Sequence, residues 1–400
     1  MHIPSGCSKL ETGLIIDKVK GLIFGAILGD SLGLATEGLS KSEIEKFYGQ
    51  GPIRFGMDEG GIPFIKDAFR SNFEDSDFGD DAEQVLLVME SLLANGGHFL
   101  VKDFSSRLFN YSKDGIQNLH KKPSGMNATN EAVLANPTYQ TSPQKAAIEV
   151  WKTKDNLRGA NGALVRAPLL GVIKFWDGTT VIENTTECCR VTHPDPRCMI
   201  SCVIASTLIA RLLRGQDLEI EVNMTPIPSP MTPTTPTPNI TTFTDTLPVD
   251  ARLQSLVRNV VETNKPMLIA PQTDRLFVTP ETDMDQMQVY YHQLLDYCVP
   301  NSLNELMLDD VVNRRDTFRC LSAAIYCLTR EIPAQSETDY FKKMLMDIVM
   351  QGGEADTNAT VAGALLGARL GYSHLPTEWV VGMRRWEWLE DKVDEFCAFL

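Results

Sequence analysis

The chain lacks the excess of basic residues that nucleic-acid-binding proteins carry. Its 400 residues include 37 lysines and arginines against 52 aspartates and glutamates, which gives a formal net charge of −15. Such a surface repels both the phosphates of nucleic acids and the anionic headgroups of membranes. We therefore expect neither as a partner. An anionic ligand is expected only where a local positive group or a bound cation holds it.

The chain also lacks an apolar run long enough to predict a membrane span. The longest run, residues 198–213, contains Arg211 and three hydroxyl residues, and it is shorter than the roughly 20 residues that a bilayer requires. Near the N-terminus, the one apolar run is interrupted by Asp17, Lys18 and Lys20. We therefore do not predict a secretory signal.

Cysteine is present, but without the spacing of a redox or zinc motif. The nine cysteines contain no Cys-x-x-Cys, their number is odd, and Cys188 and Cys189 are adjacent. This usage is typical of reduced thiols rather than a disulfide framework, so we expect a cytoplasmic protein, or a nuclear one. With 43% hydrophobic and 22% charged residues, the composition is that of an ordinary globular protein of one or two domains.

Helical periodicity dominates the chain, and little of it follows a strand pattern. A helix is predicted over residues 15–33, where glycines recur every four residues from Gly21 to Gly33, and Gly363–Gly371 repeats this spacing. Glycines at this spacing form one smooth helix face. Each costs about 1 kcal/mol of helix propensity, so we predict that the two helices pack closely together. A phosphate-binding glycine loop is disfavoured because the register is helical.

The remaining helix signals are separated by one segment of different composition. Further helices are predicted at 197–213, 251–263, 284–298, 309–330 and 336–350. Residues 223–248 are rich in proline and threonine, which is typical of an extended or disordered linker. Acidic motifs lie on both sides of this segment, and each is incomplete alone. We therefore interpret 223–248 as an insertion in a single domain that covers residues 15–400.

Two acidic segments each lead into an apolar helix. Asp80 and Asp81 form the first, and Glu354, Asp356 and Thr357 form the second. Helix capping alone would explain either segment. If the two helix starts meet, however, their carboxylates would repel one another unless a cation neutralised them. Oxygen-only ligands favour Mg²⁺, Mn²⁺ or Ca²⁺, and two such ions could hold an anionic substrate and activate a water molecule.

Three other positions have both a functional and a structural interpretation. Glu37 follows the first glycine-rich helix, where an acid is usually only solvated. The turn at residues 159–168 leads into an apolar helix; its backbone amides could hold a phosphate or ribose, or it could be a plain junction. His193 lies in a loop that is stiffened by prolines on both sides of Asp195, and a lone histidine there is more often structural than catalytic.

In combination, these segments resemble the ADP-ribosylglycohydrolase family, of the dinitrogenase-reductase-activating-glycohydrolase type. The matching pieces occur in order over about residues 15–380. They are Gly25–Gly33 with Glu37, Asp80-Asp81 before an apolar helix, Asn161–Arg166, Thr192–Arg197 and Gly353–Gly367.

The resemblance implies a compact all-α fold, a many-helix orthogonal bundle with a central cleft that holds two Mg²⁺ ions, or Mn²⁺. It also implies hydrolysis of the N- or O-glycosidic bond between ADP-ribose and a protein side chain. Arginine is the side chain most associated with the family, and serine and other conjugates are also known for it. The expected partner is thus the ADP-ribose moiety of a modified protein, and we expect a monomer.

The resemblance also assigns a role to each candidate site residue by its motif position. The metal ligands would be Asp80, Asp81, Glu354, Asp356 and Thr357. Glu37 would lie on a mobile loop that closes over the metals and would assist proton transfer, and Asn161, Gly162 and His193 would line the ADP-ribose pocket.

The chain departs from the family pattern at three positions. Gly79 and Ala82 stand where the family usually has threonines, and Glu354 stands where it usually has aspartate. A water molecule could replace the missing threonine oxygen, because Mg²⁺ commonly keeps waters. Two hypotheses follow: a Mg²⁺-dependent hydrolase, or a degenerate member that binds ADP-ribose or is structural, without turnover.

Overall fold

The fold is built from helices. The computed structural model describes residues 3–218, 247–268 and 280–400. It is 65% helical, and within these ranges β pairing is limited to isolated bridges, so the predicted all-α class is confirmed. In chain order the helices are α1 (Thr12–Gly33), α2 (Lys41–Tyr48), α3 (Asp80–Ala94), α4 (Val101–Asp114), α5 (Ala128–Leu134), α6 (Pro143–Thr153), α7 (Ala167–Leu170), α8 (Gly178–Arg190), α9 (Pro196–Leu213), α10 (Ala251–Asn264), α11 (Pro280–Tyr297), α12 (Thr317–Thr329), α13 (Glu337–Val349), α14 (Ala355–Leu370), α15 (Thr377–Gly382) and α16 (Trp386–Phe399).

Helices α1 and α14 pack backbone to backbone at the centre of the molecule. A Cβ atom at Gly25 would lie 2.1 Å from the carbonyl oxygen of Gly363, and one at Gly21 would lie 2.3 Å from that of Gly367. No larger side chain fits between the two helices there. The predicted close packing of the two glycine-spaced helices is confirmed.

This packing is antiparallel and determines where the acidic segments lie. The contacts run from Gly21 opposite Gly367 to Gly33, whose Cβ atom would be 2.3 Å from the Cα atom of Asp356. The end of α1 therefore meets the start of α14. Beyond α1, Gly38 N donates to the carbonyl oxygen of Gly353 at 2.8 Å, which joins the loop after α1 to the turn before α14.

A buried aspartate on α1 holds the start of α3 in the same region. Asp30 is fully buried, and its Oδ2 accepts hydrogen bonds from Gly79 N at 2.8 Å and Ala82 N at 2.7 Å. These amides are among those that an α-helix leaves without an internal partner at its N-terminus. Asp30 thus caps α3, and the ends of α1, α3 and α14 meet.

Helix α9 forms a large part of the remaining core. At 18 residues it is two residues longer than the apolar run of the sequence, and by length and composition alone it would suit a membrane span, but 83% of it is buried inside the protein. All nine cysteines lie in the part of the chain that the structure describes, and all are free thiols, eight of them buried. The predicted helix 197–213 is confirmed.

The predicted helix 309–330 was too long at its start. Helix α12 begins only at Thr317, because Asp316 Oδ1 accepts hydrogen bonds from Phe318 N and Arg319 N and so caps the helix there. Residues 309–316 form a loop instead. The predicted Pro/Thr-rich insertion at 223–248 lies outside the described residues except for its last two.

Candidate functional site

The two acidic segments line one cavity. Its volume is about 330 Å³, and we call it the acidic cavity. Six of the residues singled out from the sequence are among its lining: Glu37, Asp80, Asp81, Glu354, Asp356 and Thr357. The structure therefore brings together side chains from the loop after α1, the start of α3 and the start of α14.

A threonine hydroxyl joins the two segments directly. Thr357 Oγ1 donates a hydrogen bond to Asp81 Oδ2 at 2.6 Å, across 276 residues of sequence. The same hydroxyl lies 3.4 Å from Asp356 Oδ1, which also accepts a bond from Thr357 N at 2.7 Å. Two carboxylates and one hydroxyl thus meet at the ends of α3 and α14.

The carboxylates of the acidic cavity destabilise one another's charged forms. Burial, followed by the negative charges of Asp356 and Glu83, raises the pKa of Asp80 to about 7. Burial and the charge of Asp80 raise the pKa of Asp81 well above its ordinary value, and burial raises that of Asp356 as well. Without a cation, some of these groups hold protons near neutral pH.

Two buried carboxylate oxygens that lack hydrogen-bond partners also indicate that a proton or a cation is needed in this region. Asp30 Oδ1 and Glu37 Oε2 are buried and have no hydrogen-bond partner. The free energy cost of such atoms is removed by a proton or by a cation. The oxygen-only donors therefore suit a hard divalent ion such as Mg²⁺. In the described ranges, no three acidic, histidine or cysteine side chains already have the arrangement of a complete metal site, so the fit rests on donor chemistry.

Glu354 has different neighbours from the other carboxylates. Its Oε1 lies 3.1 Å from Arg314 Nε and 3.3 Å from Arg315 Nε. Its pKa is nevertheless raised, because burial and the charge of Asp356 outweigh the two guanidinium groups. The arginines therefore compete with any cation for this carboxylate. They lie in the loop that the sequence had predicted to be helical.

A second cavity of about 350 Å³ adjoins the first and carries arginines. We call it the arginine cavity, and it shares Asn127, Ala128, Arg314, Arg315 and Glu354 with the acidic cavity. Its other lining residues include Arg158, Arg197 and the two predicted positions Asn161 and Gly162.

A Cβ atom at position 162 would lie 2.3 Å from Asn127 Nδ2, so a larger residue there would displace the Asn127 side chain. The Arg197 guanidinium is already paired with Asp195, through Nε to Oδ1 and Nη2 to Oδ2, both at 3.0 Å. Arg158 is likewise paired with Asp155, and Arg314 and Arg315 with Glu354, so each of the four arginines that line this cavity already has a carboxylate partner.

His193 is the one predicted site residue that lines neither cavity. Its side chain is 2% exposed, and its Nδ1 lies 2.7 Å from Thr192 Oγ1. Burial and the nearby Arg166 hold the pKa of His193 well below its ordinary value, so its ring is neutral. The structure places it in the core.

The backbone of the loop that carries Glu37 is held by Arg70. Arg70 donates from Nη2 to the carbonyl oxygen of Glu37 at 2.6 Å and from Nε to that of Ala35 at 2.7 Å. Burial and the charges of Asp356 and Glu354 raise the pKa of Glu37 well above its ordinary value. Without a cation, the charged form of the Glu37 side chain is therefore disfavoured.

Sequence reasoning missed a buried acid behind the acidic cavity. Glu83 is fully buried; it accepts hydrogen bonds from the Tyr111 hydroxyl and from Ser124 Oγ at 2.9 Å, and pairs with Lys121 Nζ at 3.0 Å. It thereby fixes the loop 121–127, which forms one wall of the cavity. The signal was a glutamate three residues after Asp80, within an apolar helix.

A family model identifies the family of this chain. A family model described as ADP-ribosylglycohydrolase matches residues 11–399. An uncharacterized protein of Archaeoglobus fulgidus is 21% identical over 94% of each chain. The ADP-ribosylhydrolase ARH3 of Mus musculus is 33% identical over 19% of this chain and 25% of its own. A solved structure of an ADP-ribosylglycohydrolase-related protein complex covers 97% of this chain and 99% of its own with a TM-score of 0.59 at 18% identity, which shows a shared fold.

Proposed function

This chain belongs to the ADP-ribosylglycohydrolase family, whose members act on ADP-ribosylated substrates, and from that premise we propose that it is a Mg²⁺-dependent hydrolase. The bond cleaved is the glycosidic bond between ADP-ribose and a protein side chain, with arginine as the first candidate and serine or another conjugate next. The observation that carries the proposal is the Asp81–Thr357–Asp356 junction, in a cavity that opens onto the arginine cavity.

The cation would be held by Asp80, Asp81, Asp356 and Thr357, with Glu354 as a further candidate ligand. We propose Mg²⁺, with Mn²⁺ as a substitute, and two ions as the family resemblance implies. When bound, a divalent ion in such a site supplies positive charge for substrate oxygens and activates water. The raised pKa values of the acidic cavity support this role, because a cation would relieve the repulsion that raises them.

Glu37 is the proposed proton carrier. Its Oε2 is buried without a hydrogen-bond partner, and Glu37 lines the acidic cavity together with the proposed metal ligands. Its carboxyl group is therefore placed to donate a proton to a leaving group or to take one from a water molecule. Arg70 holds the backbone of its loop, which limits the positions that the carboxyl group can reach.

The arginine cavity is the proposed site for the ADP-ribose moiety. A diphosphate is well matched to the guanidinium groups of Arg158, Arg314 and Arg315. Asn161 and Gly162 also line this cavity, although both are buried. Asn161 would offer its amide side chain to a ribose. The junction of the two cavities then lies where the anomeric carbon would meet the carboxylates.

The experiment is a measurement of free ADP-ribose released from peptides that are modified on arginine or on serine. We expect release in Mg²⁺, loss of release in excess chelator, and at least a hundredfold slower release by Asp356→Asn. No release from any conjugate at high concentrations of enzyme and metal would overturn the proposal.

A second candidate function is binding of ADP-ribose without turnover. It is favoured by the engagement of Glu354 with Arg314 and Arg315, and by the absence of hydroxyl groups at Gly79 and Ala82. Calorimetric titration would then show binding of ADP-ribose, while the release assay showed no product.

A further inference from the structure

A third cavity adjoins the acidic cavity on another side. Its volume is about 450 Å³, and it shares Gly125, Met126 and Glu131 with the acidic cavity but no residue with the arginine cavity. We call it the apolar cavity. The acidic cavity therefore lies between the arginine cavity and the apolar cavity.

The lining of the apolar cavity suits a hydrocarbon side chain. Phe109, Pro123, Met126 and Leu134 supply its apolar surface. The exposed Lys113 and Glu131 also line it, and Lys113 Nζ lies 3.9 Å from the centroid of the Phe109 ring. An apolar surface with charged residues beside it is the usual anatomy of a site that binds one side chain of a protein partner.

The walls of this cavity are already fixed. Phe109 stacks on Tyr139 with ring centroids 6.2 Å apart. The Tyr111 hydroxyl lies 3.3 Å from the carbonyl oxygen of Gly125, and Ser124 is held by Glu83. Because these groups need little reordering, binding there would lose little conformational entropy.

A substrate that is cut at a glycosidic bond has two halves, and the bond must lie at the carboxylates. Four arginines line the arginine cavity, whereas Lys113 is the one cationic residue in the lining of the apolar cavity. If ADP-ribose takes the arginine cavity, the half that leaves must extend from the acidic cavity in another direction. The apolar cavity is continuous with the acidic cavity through Gly125, Met126 and Glu131.

We propose that the apolar cavity binds the polypeptide half of the substrate, through an apolar side chain next to the ADP-ribosylated residue. Neighbouring Cα atoms are about 3.8 Å apart, so an adjacent side chain remains close to the bond that is cleaved. This inference rests on the proposed function and adds to it a preference for modified polypeptides over free modified amino acids.

The test compares two substrates on three proteins. The substrates are a peptide with leucine beside the ADP-ribosylated residue and the ADP-ribosylated amino acid alone. The proteins are the wild type, Ala135→Trp, which fills the apolar cavity from the exposed end of α5, and Asn110→Trp, a matched control at an exposed position of α4 outside the cavity lining.

We expect the wild type to prefer the peptide about tenfold in kcat/KM, as is reasonable for burial of one aliphatic side chain. The preference should disappear in Ala135→Trp and persist in Asn110→Trp. Equal kcat/KM for the two substrates on the wild type, or the same ratio in all three proteins, would overturn the inference.

A measurement of peptide binding tests this inference independently of the proposed hydrolysis. If no substrate is turned over, the fluorescence anisotropy of a labelled modified peptide still reports on the apolar cavity. Weaker peptide binding by Ala135→Trp than by Asn110→Trp would support the apolar site while hydrolysis failed. Equal binding by the two variants would refute it.

Discussion

At the scale of single residues, the site is defined by buried carboxylates that would cost free energy if nothing neutralised their charge or paired with their oxygens. Asp81 and Asp356 come from distant segments and share the hydroxyl of Thr357. Asp30 and Glu37 each leave an oxygen without a partner. Such groups are retained where something else compensates them, and a cation in the acidic cavity would compensate the carboxylates that line it.

The hydroxyl of Thr357 gives a sharp test of this interpretation. Thr357→Val removes the oxygen but keeps the shape, so we expect the affinity for Mg²⁺ to fall by about tenfold or more, as for a lost ligand or its partner. Thr357→Ser keeps the oxygen and serves as the control, with affinity near that of the wild type. Calorimetric titration of Mg²⁺ measures both, and equal losses in the two variants would show that the hydroxyl is not involved.

Arg314 and Arg315 provide a second test at this scale. Replacing both with alanine frees the Glu354 carboxylate and removes two positive charges from the acidic cavity, so we expect Mg²⁺ to bind several-fold more tightly. Arg158→Ala is the matched control, because Arg158 lines the arginine cavity but pairs with Asp155 rather than Glu354. Unchanged or weaker Mg²⁺ binding by the double variant would mean that the arginines do not compete with the ion.

At the scale of helices, the antiparallel pair of α1 and α14 brings the acidic segments together. The glycines let the two backbones approach until the end of α1 lies against the first turn of α14. The same pair places Asp30 where it caps α3. The distance between the acidic segments therefore depends on residues that carry no charge.

Substitution of one interface glycine should disturb this arrangement. Gly25→Ala would place a Cβ atom 2.1 Å from a backbone oxygen, so we expect the free energy of unfolding to fall by about 3 kcal/mol or more. In Gly13→Ala, on the same helix with open space around the position, we expect no loss and a gain of up to about 1 kcal/mol. Chemical denaturation compares the two, and similar stabilities would contradict the close packing.

The sequence was sufficient for those features that have a periodic or clustered signal. The glycine spacing predicted α1 and α14 and their contact, and the acidic pairs predicted the convergence of two helix starts. The sequence was not sufficient where a single residue determines the start of a helix or the contacts of a buried acid. Because Asp316 caps α12, this helix begins eight residues later than predicted, and Arg314 and Arg315 lie in a loop. Asp30 and Glu83 are single acids within apolar helices, and only the tertiary contacts reveal what they do.

At the scale of the whole molecule, the carboxylates of the acidic cavity are part of a formal net charge of −15. The raised pKa values mean that, between about pH 4 and about pH 7, the folded protein holds protons that the unfolded chain has already released. The free energy of unfolding of the metal-free protein therefore decreases as the pH rises towards and through about 7. A bound cation should remove this dependence.

Thermal unfolding in chelator should thus give a Tm several degrees higher at pH 6 than at pH 8. Excess Mg²⁺ should raise the Tm more at pH 8, because binding competes with protons for the same oxygens. Asp356→Asn is the control, since it removes one interacting charge and should reduce the difference. A metal-free protein that was more stable at pH 8 would contradict the account.

The most direct measurement is anomalous diffraction from crystals of the protein grown with Mn²⁺, which can stand in for Mg²⁺. We expect an anomalous peak in the acidic cavity, at an ion that is bonded to oxygens of Asp81 and Asp356. Ordered crystals that contained Mn²⁺ but showed no peak there, with both carboxylates bonded only to protein or water, would contradict it.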